Sequence, residues 1–226
     1  LSPGAGGDPD VHGGSIRFYT TAADGSISER RSAFETQGPA LALLGSKLAV
    51  LATPGVAPRV AAIFSDGRGA ISSVTGCPTA CAFGEAVPLG GAGTLGVPIA
   101  IEAVALDDTE PGLVALTVGE AEATGVVVWR DPLEEPVHIA LPPATVPVAV
   151  TSIAPAGGGV RTLAVATLNR GLLLIAPDPA GGYLAPVEAA MAGIIDAPVR
   201  IALDVEAVDV DGDHLDDLVI GIGSES

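Results

Sequence analysis

The segment VDVDGDHLDDLVIGIG, residues 208–223, holds five acids, Asp209, Asp211, Asp213, Asp216 and Asp217, and runs straight into an apolar stretch. Asp209, Asp211, Asp213 and Asp217, with the backbone carbonyl of Leu215, place an oxygen at every second residue. Gly212 permits the turn that gathers them on one side of a tight loop. Four carboxylates held a few ångströms apart repel one another, and a cation between them reverses the sign of the interaction. Calcium takes six to eight hard oxygens at about 2.3–2.6 Å. The loop offers five ligand groups before any water is added. The residues read here as metal ligands are therefore Asp209, Asp211, Asp213, Leu215 through its carbonyl, and Asp217, with Ca2+ as the cofactor. The plainer alternative is an acidic surface turn that holds no ion.

An EF-hand loop also opens D-x-D-G-D, but it needs a bidentate Glu at its twelfth position and a helix on either side. Counted from Asp209, the twelfth residue is Ile220, and no helical pattern flanks the loop. The other acids cluster less tellingly. Asp107, Asp108 and Glu110 are too few and out of step for a second site, and read as a solvated turn. Asp131, Glu134 and Glu135 could form a carboxylate pair, but nothing singles them out from a turn before Pro136. No catalytic residue is assigned.

GAGTLG, residues 91–96, matches G-x-G-x-x-G but leads into Val97 and a strand. Phosphate binding needs a helix N-terminus at that point, so a connecting loop is expected. His12, His138 and His214 have no metal-ligand spacing with Cys or acids; His214 falls between the ligand positions of the acidic loop and should face solvent. Trp129, the sole tryptophan, ends an apolar strand and is expected in the core or between sheets. Cys77 and Cys81 are close enough to clasp a small loop by a disulfide in an oxidising compartment; two free thiols are the alternative.

The elements that carry these residues read as strands. In PVRIALDVEA, Val199, Ile201, Leu203 and Val205 alternate with Arg200, Ala202, Asp204 and Glu206. Apolar runs are short, and the 30 Gly and 19 Pro lie mainly between them. Four segments share one plan, opening near Pro39, Pro98, Pro147 and Pro198. In each, an alternating strand is followed by a second apolar strand, beginning near Leu48, Leu113, Leu163 and Leu218. The first three add a third: VAAIF, VVVW and LLLI. Repeats of about 50 residues with three or four short strands are the mark of a β-propeller. The expected fold is all-β, a propeller of about four blade-like repeats near 39–97, 98–146, 147–197 and 198–226, in one domain spanning 1–226. The last repeat stops after two strands, and 11–38 supplies two more that could complete it and close a ring, hiding both sheet edges. A fragment of a larger propeller and a β-sandwich are the alternatives.

Composition bounds the partners. With 27 acids against 10 bases the formal charge is −17. Nucleic acid is excluded as a partner, since binding it needs Lys and Arg to displace counterions; anionic membrane surfaces are disfavoured likewise. Mean hydropathy is high at +0.52. The longest apolar stretch, PALALLGSKLAVLATPGVAPRVAAIF, is broken by Lys47, Pro54, Pro58 and Arg59, so no run reaches the roughly 18 residues of a membrane-spanning helix. The chain opens at Leu1 with no signal-like segment, which reads as a processed or excised piece.

DVDGDHLDDLVIG resembles the calcium loop of FG-GAP repeats, which occur in the β-propeller of integrin alpha subunits and, with the related VCBS repeats, in many bacterial secreted proteins. In that family the loop joins the first two strands of a blade. The matching residues here are Asp209, Asp211, Asp213, Leu215 by its carbonyl, and Asp217, followed by LVIGIG. The motif covers about fifteen residues; the repeat plan extends the resemblance weakly to the rest. The other three repeats lack the acids, so one site is expected. The resemblance implies a secreted or cell-surface module (periplasmic in a bacterium), non-catalytic and calcium-stabilised, that binds a protein or glycan. A polysaccharide-active hydrolase or lyase, or a structural subunit of a larger surface assembly, are the alternatives.

Overall fold

The computed structural model describes residues 2–3, 14–21, 24–35, 47–64, 67–76, 82–91, 96–119, 124–189 and 202–223. Cys77 and Cys81, and Val199 to Ile201, lie outside these. The described residues are all-β, without a helix, and form five sheets whose pairings are antiparallel. The N-terminal sheet holds β1 (Ser2–Pro3), β2 (Gly14–Thr21) and β3 (Ile27–Glu35). The next, called the first sheet below, holds β4 (Lys47–Leu51), β5 (Arg59–Ile63) and β6 (Gly69–Thr75), with the short β7 (Ala82–Phe83) and β8 (Val87–Pro88) both on β6.

The second sheet runs in chain order through β9 (Val97–Ala105), β10 (Pro111–Val118), β11 (Gly125–Trp129) and β12 (Val137–Ala140). The third repeats that order with β13 (Pro147–Ile153), β14 (Thr162–Thr167), β15 (Gly171–Ile175) and β16 (Val187–Glu188). The last sheet is the hairpin of β17 (Ala202–Val208) and β18 (Asp217–Ile222).

The middle strands are apolar at successive positions because both of their faces are covered. Side chains alternate across a strand, so neighbouring residues serve different cores. On β10, Leu113 and Ala115 pack with Ala61, Ile63, Ile101, Val127 and Trp129, between the first and second sheets. Val114 and Leu116 point the other way, to Val126, Val128, Leu163, Val165, Leu173 and Ile175, between the second and third. On β14 the alternate residues Ala164 and Ala166 meet Leu172, Ala202 and Val205, joining the third sheet to the last. On β5, Val60 and Ala62 turn away from the second sheet and cluster with Phe64 and Val74. The first, second, third and last sheets therefore stack face to face in chain order. Their leading strands adjoin in the same order: β4 beside β9, β9 beside β13, β13 beside β17.

Trp129 is fully buried, and its indole Nε1–H donates to the Gly90 carbonyl at 2.8 Å. It is a packing residue that ties the β8–β9 connection to the second sheet.

Two sequence expectations need correction, and a third falls partly outside the described residues. The segment ahead of Lys47, expected as the leading strand of the first repeat, is not among them; Leu48 falls on β4 and VAAI on β5. In β17 the expected alternation fails at its start. A register shift between Ala202 and Asp204 buries Ala202 and leaves Leu203 53% exposed, because an irregularity of that kind moves one residue to the other face. The turn at 107–110 is also more than solvated, since its acids contact neighbouring sheets (below). As for 11–38, β2 pairs with β1 on one side and β3 on the other, β3 comes close to β7, and no ladder between β18 and β2 occurs among the described residues.

Candidate metal centre

The acidic loop connects β17 to β18 and is fixed by its own side chains. Asp209 accepts from two backbone amides, Gly212 N–H at Oδ1 (2.7 Å) and His214 N–H at Oδ2 (3.0 Å). Asp211 accepts from Asp213 N–H at 3.1 Å, and Asp213 from Leu215 N–H at 2.8 Å. Asp217, the first residue of β18, reaches back to Val210 N–H at 3.0 Å. Short carboxylates bonding the backbone two or three residues ahead hold a turn in this way. The path needs left-handed backbone at Gly212 (φ 83°) and His214 (φ 69°). Glycine adopts it freely; His214 does so at some cost and carries an exposed ring.

This folding brings Asp209, Asp211 and Asp217 together, each offering a carboxylate oxygen within 4.8 Å of the others. Donor oxygens no further apart than this can share one cation. All three donors are hard oxygens, and Asp211 and Asp217 are exposed while Asp209 is part-buried, which leaves room for water to fill a coordination sphere. The trio can hold a metal ion; exposed acids also gather without one. Asp213 lies outside the trio, its Oδ1 turned to Leu215 N–H. Leu215, the residue read as a carbonyl donor, sits between Asp213 and β18 with its side chain 46% exposed.

Asp216 was given no role by spacing, and the structure supplies one. Its Oδ2 accepts from Ala154 N–H at 2.7 Å and from Arg161 Nη1 at 3.2 Å, both in the β13–β14 connection of the third sheet. Successive side chains at a strand start point to opposite sides, so Asp217 faces the trio while Asp216 faces the neighbouring sheet. A similar contact joins the first sheet to the second, where Arg59 Nη2 lies 4.0 Å from Glu110 Oε2. Arg59, Glu110, Arg161 and Asp216 each sit at or just before the second strand of their sheet. A charge recurring there roughly every fifty residues, alternating in sign, was the sequence signal for these contacts. Between the second and third sheets, Asp108 Oδ2 accepts from Gly159 N–H at 2.8 Å, and Leu106 carbonyl from Arg161 N–H at 2.9 Å. Asp107 accepts from Thr109 and from Arg130 Nη1 at 3.0 Å, and these bonds, Thr109's first, hold its carboxyl below the usual range.

A second group of acids lies on the leading strands. Partial desolvation, then the negative charges of Glu206 and Asp204 on β17, push the carboxyl of Glu102, an exposed residue of β9, above the usual range. A carboxyl raised by folding contributes stability below its ordinary pKa and loses it as pH rises through the folded value. Glu102→Gln is therefore expected to raise the melting temperature at pH 7 and to leave it unchanged below about pH 4. Thermal denaturation at the two pH values checks this; equal shifts at both would show that charge is not the cause.

The remaining motifs, where described, form turns and connections. Glu134 N–H donates to the Asp131 carbonyl, closing an exposed turn. Gly91 begins a turn, and the chain re-emerges at Gly96 directly into β9. Compared with known protein families the chain matches none, and no curated protein matches its sequence.

Proposed function

We propose that this chain is a calcium-stabilised, non-catalytic β-propeller, or part of one, serving outside the cell as a protein- or glycan-interaction module. The observation that carries the reading is the convergence of Asp209, Asp211 and Asp217 at the tip of a β-hairpin. Adjoining leading strands in consecutive antiparallel sheets support the propeller, since blades present their first strands in succession around one axis. The resemblance of 209–217 to FG-GAP loops supports calcium and the extracellular setting, where the ion is abundant. Asp209, Asp211 and Asp217 would hold the ion, joined by the Leu215 carbonyl as the spacing suggests, with Asp213 adding negative charge beside it. The ion neutralises the loop and fixes it, and the module then presents rigid loops to a partner.

Calorimetric titration of CaCl2 into chelator-treated protein tests this. Sites of extracellular type bind at about 10⁻⁴–10⁻³ M. At millimolar calcium, linkage then adds about 1–2 kcal/mol to unfolding, raising the melting temperature by a few degrees. A melting curve identical in calcium and in excess chelator would sink the cation site. A glycan array probed in calcium and in chelator addresses the partner.

The raised Glu102 carboxyl beside Asp204 and Glu206 gives a foothold to a second reading, a hydrolase or lyase acting on extracellular polysaccharide. That reading requires turnover of polymeric glycans that disappears in Glu102→Gln.

A further inference from the structure

We propose that Asp216 couples the acidic loop to the third sheet, so that cation binding at 209–217 also locks the last sheet onto its neighbour. The inference rests on the proposed cation site for the ion and on separate geometry for the coupling. Asp216 shares a peptide bond with Leu215 on one side and with Asp217 on the other, both read as cation ligands. Fixing those two residues fixes the backbone that carries Asp216. Its carboxylate in turn holds Ala154 N–H and the Arg161 guanidinium of the β13–β14 connection.

Both partners of the ion pair are about three-quarters buried, with side chains 23% and 24% exposed. A charge-assisted bond in that setting is stronger and less screened than a surface pair. Arg161 adds a second attachment, donating its backbone N–H to Leu106 of the second sheet. One arginine therefore joins the second, third and last sheets, and Asp216 is its contact with the last.

The hairpin packs on the third sheet through two fully buried apolar residues, Ala202 and Val205, and two partly buried ones, Leu218 and Ile220, while Val219 is 51% exposed. A loosely held element opens locally with a smaller free energy than the core, and any ligand that orders one end of it raises that cost. Ion binding would thus protect residues some distance along the chain from the ion, through one side chain.

Hydrogen exchange read by mass spectrometry on the whole chain, in calcium and in chelator, tests the coupling. In the unmodified protein calcium should slow exchange about tenfold both in 209–217 and in 154–161 when the ion is at about ten times its dissociation constant. In Asp216→Asn the slowing in 209–217 should persist and that in 154–161 should be lost. Arg161→Met, which leaves every loop residue in place, should give the same split if the first variant folds poorly. Calcium slowing of 154–161 in either variant equal to that in the unmodified chain overturns the coupling. So does protection confined to 209–217 in the unmodified chain, and in that case the cation site stands. Exchange unaffected by calcium in both segments removes the cation site and the coupling together.

Discussion

Trp129→Ala is expected to lower the free energy of unfolding by about 3–5 kcal/mol, the range for deleting a large buried aromatic side chain. Trp129 has no exposed surface and packs with Ala61, Ile63, Leu113, Ala115 and Val127 where the first sheet meets the second. Removing it leaves a cavity with walls from two sheets, and sheets paired by backbone ladders cannot collapse into it without breaking register. It also strips the Gly90 carbonyl of its indole donor. An unsatisfied buried acceptor costs about 1–3 kcal/mol, part of which lies inside the range above. Relief by local movement is restricted, because the β8–β9 connection runs hard against the β11–β12 turn at Gly90. A Cβ added there would come within 2.0 Å of the Glu134 carbonyl oxygen. Trp129→Phe keeps much of the volume and loses the donor, so it should cost less than the alanine variant. Urea unfolding followed by circular dichroism reads both without depending on tryptophan fluorescence. A loss under about 1 kcal/mol for the alanine variant would be incompatible with a Trp129 packed between two sheets.

The same two-faced packing explains which parts of the fold were legible beforehand. VVVW and LLLI could be read as strands because a strand buried on both sides has no polar face, and Gly and Pro bound them closely. The gathering of Asp209, Asp211 and Asp217 could be read because their spacing is local: three carboxylates in nine residues need no knowledge of the rest of the chain. What could not be read depends on partners far away in sequence. Alternation along β17 gave two faces, but the register shift at Leu203 depends on pairing with β18 and exchanges them. Asp216 looked like surplus charge because its value lies in Ala154 and Arg161, sixty-two and fifty-five residues away. Asp108 escaped notice for the same reason, its partner Gly159 lying in the next sheet.

Asp209→Ala should reduce calcium affinity about a hundredfold, the upper end of what losing even an indirect support of a metal site costs. Asp209 does two things at once. Its carboxylate belongs to the trio that can hold a cation, and both of its oxygens accept backbone amides that shape the loop. Those amides belong to Gly212 and His214, the two residues with left-handed backbone, so the same side chain stabilises the least favourable conformations in the loop. Asp213→Ala removes a carboxylate of equal charge that lies outside the trio, and should cost no more than about tenfold, the lower end of the same range. The pair separates ligation from general electrostatics, since both variants lose one negative charge. Asp209→Asn sharpens the comparison by retaining an acceptor oxygen. In chelator the relief of carboxylate repulsion is offset by the loss of one of the two backbone amide bonds, because the Asn NH2 cannot accept, so the melting temperature should change little; in calcium it should fall clearly below that of the unmodified protein. A loss that appears only with calcium is the signature of an ion bound among the carboxylates. An acidic turn without an ion predicts the same shift in both conditions, and equal calcium affinities for the two alanine variants would remove Asp209 from the ligand set.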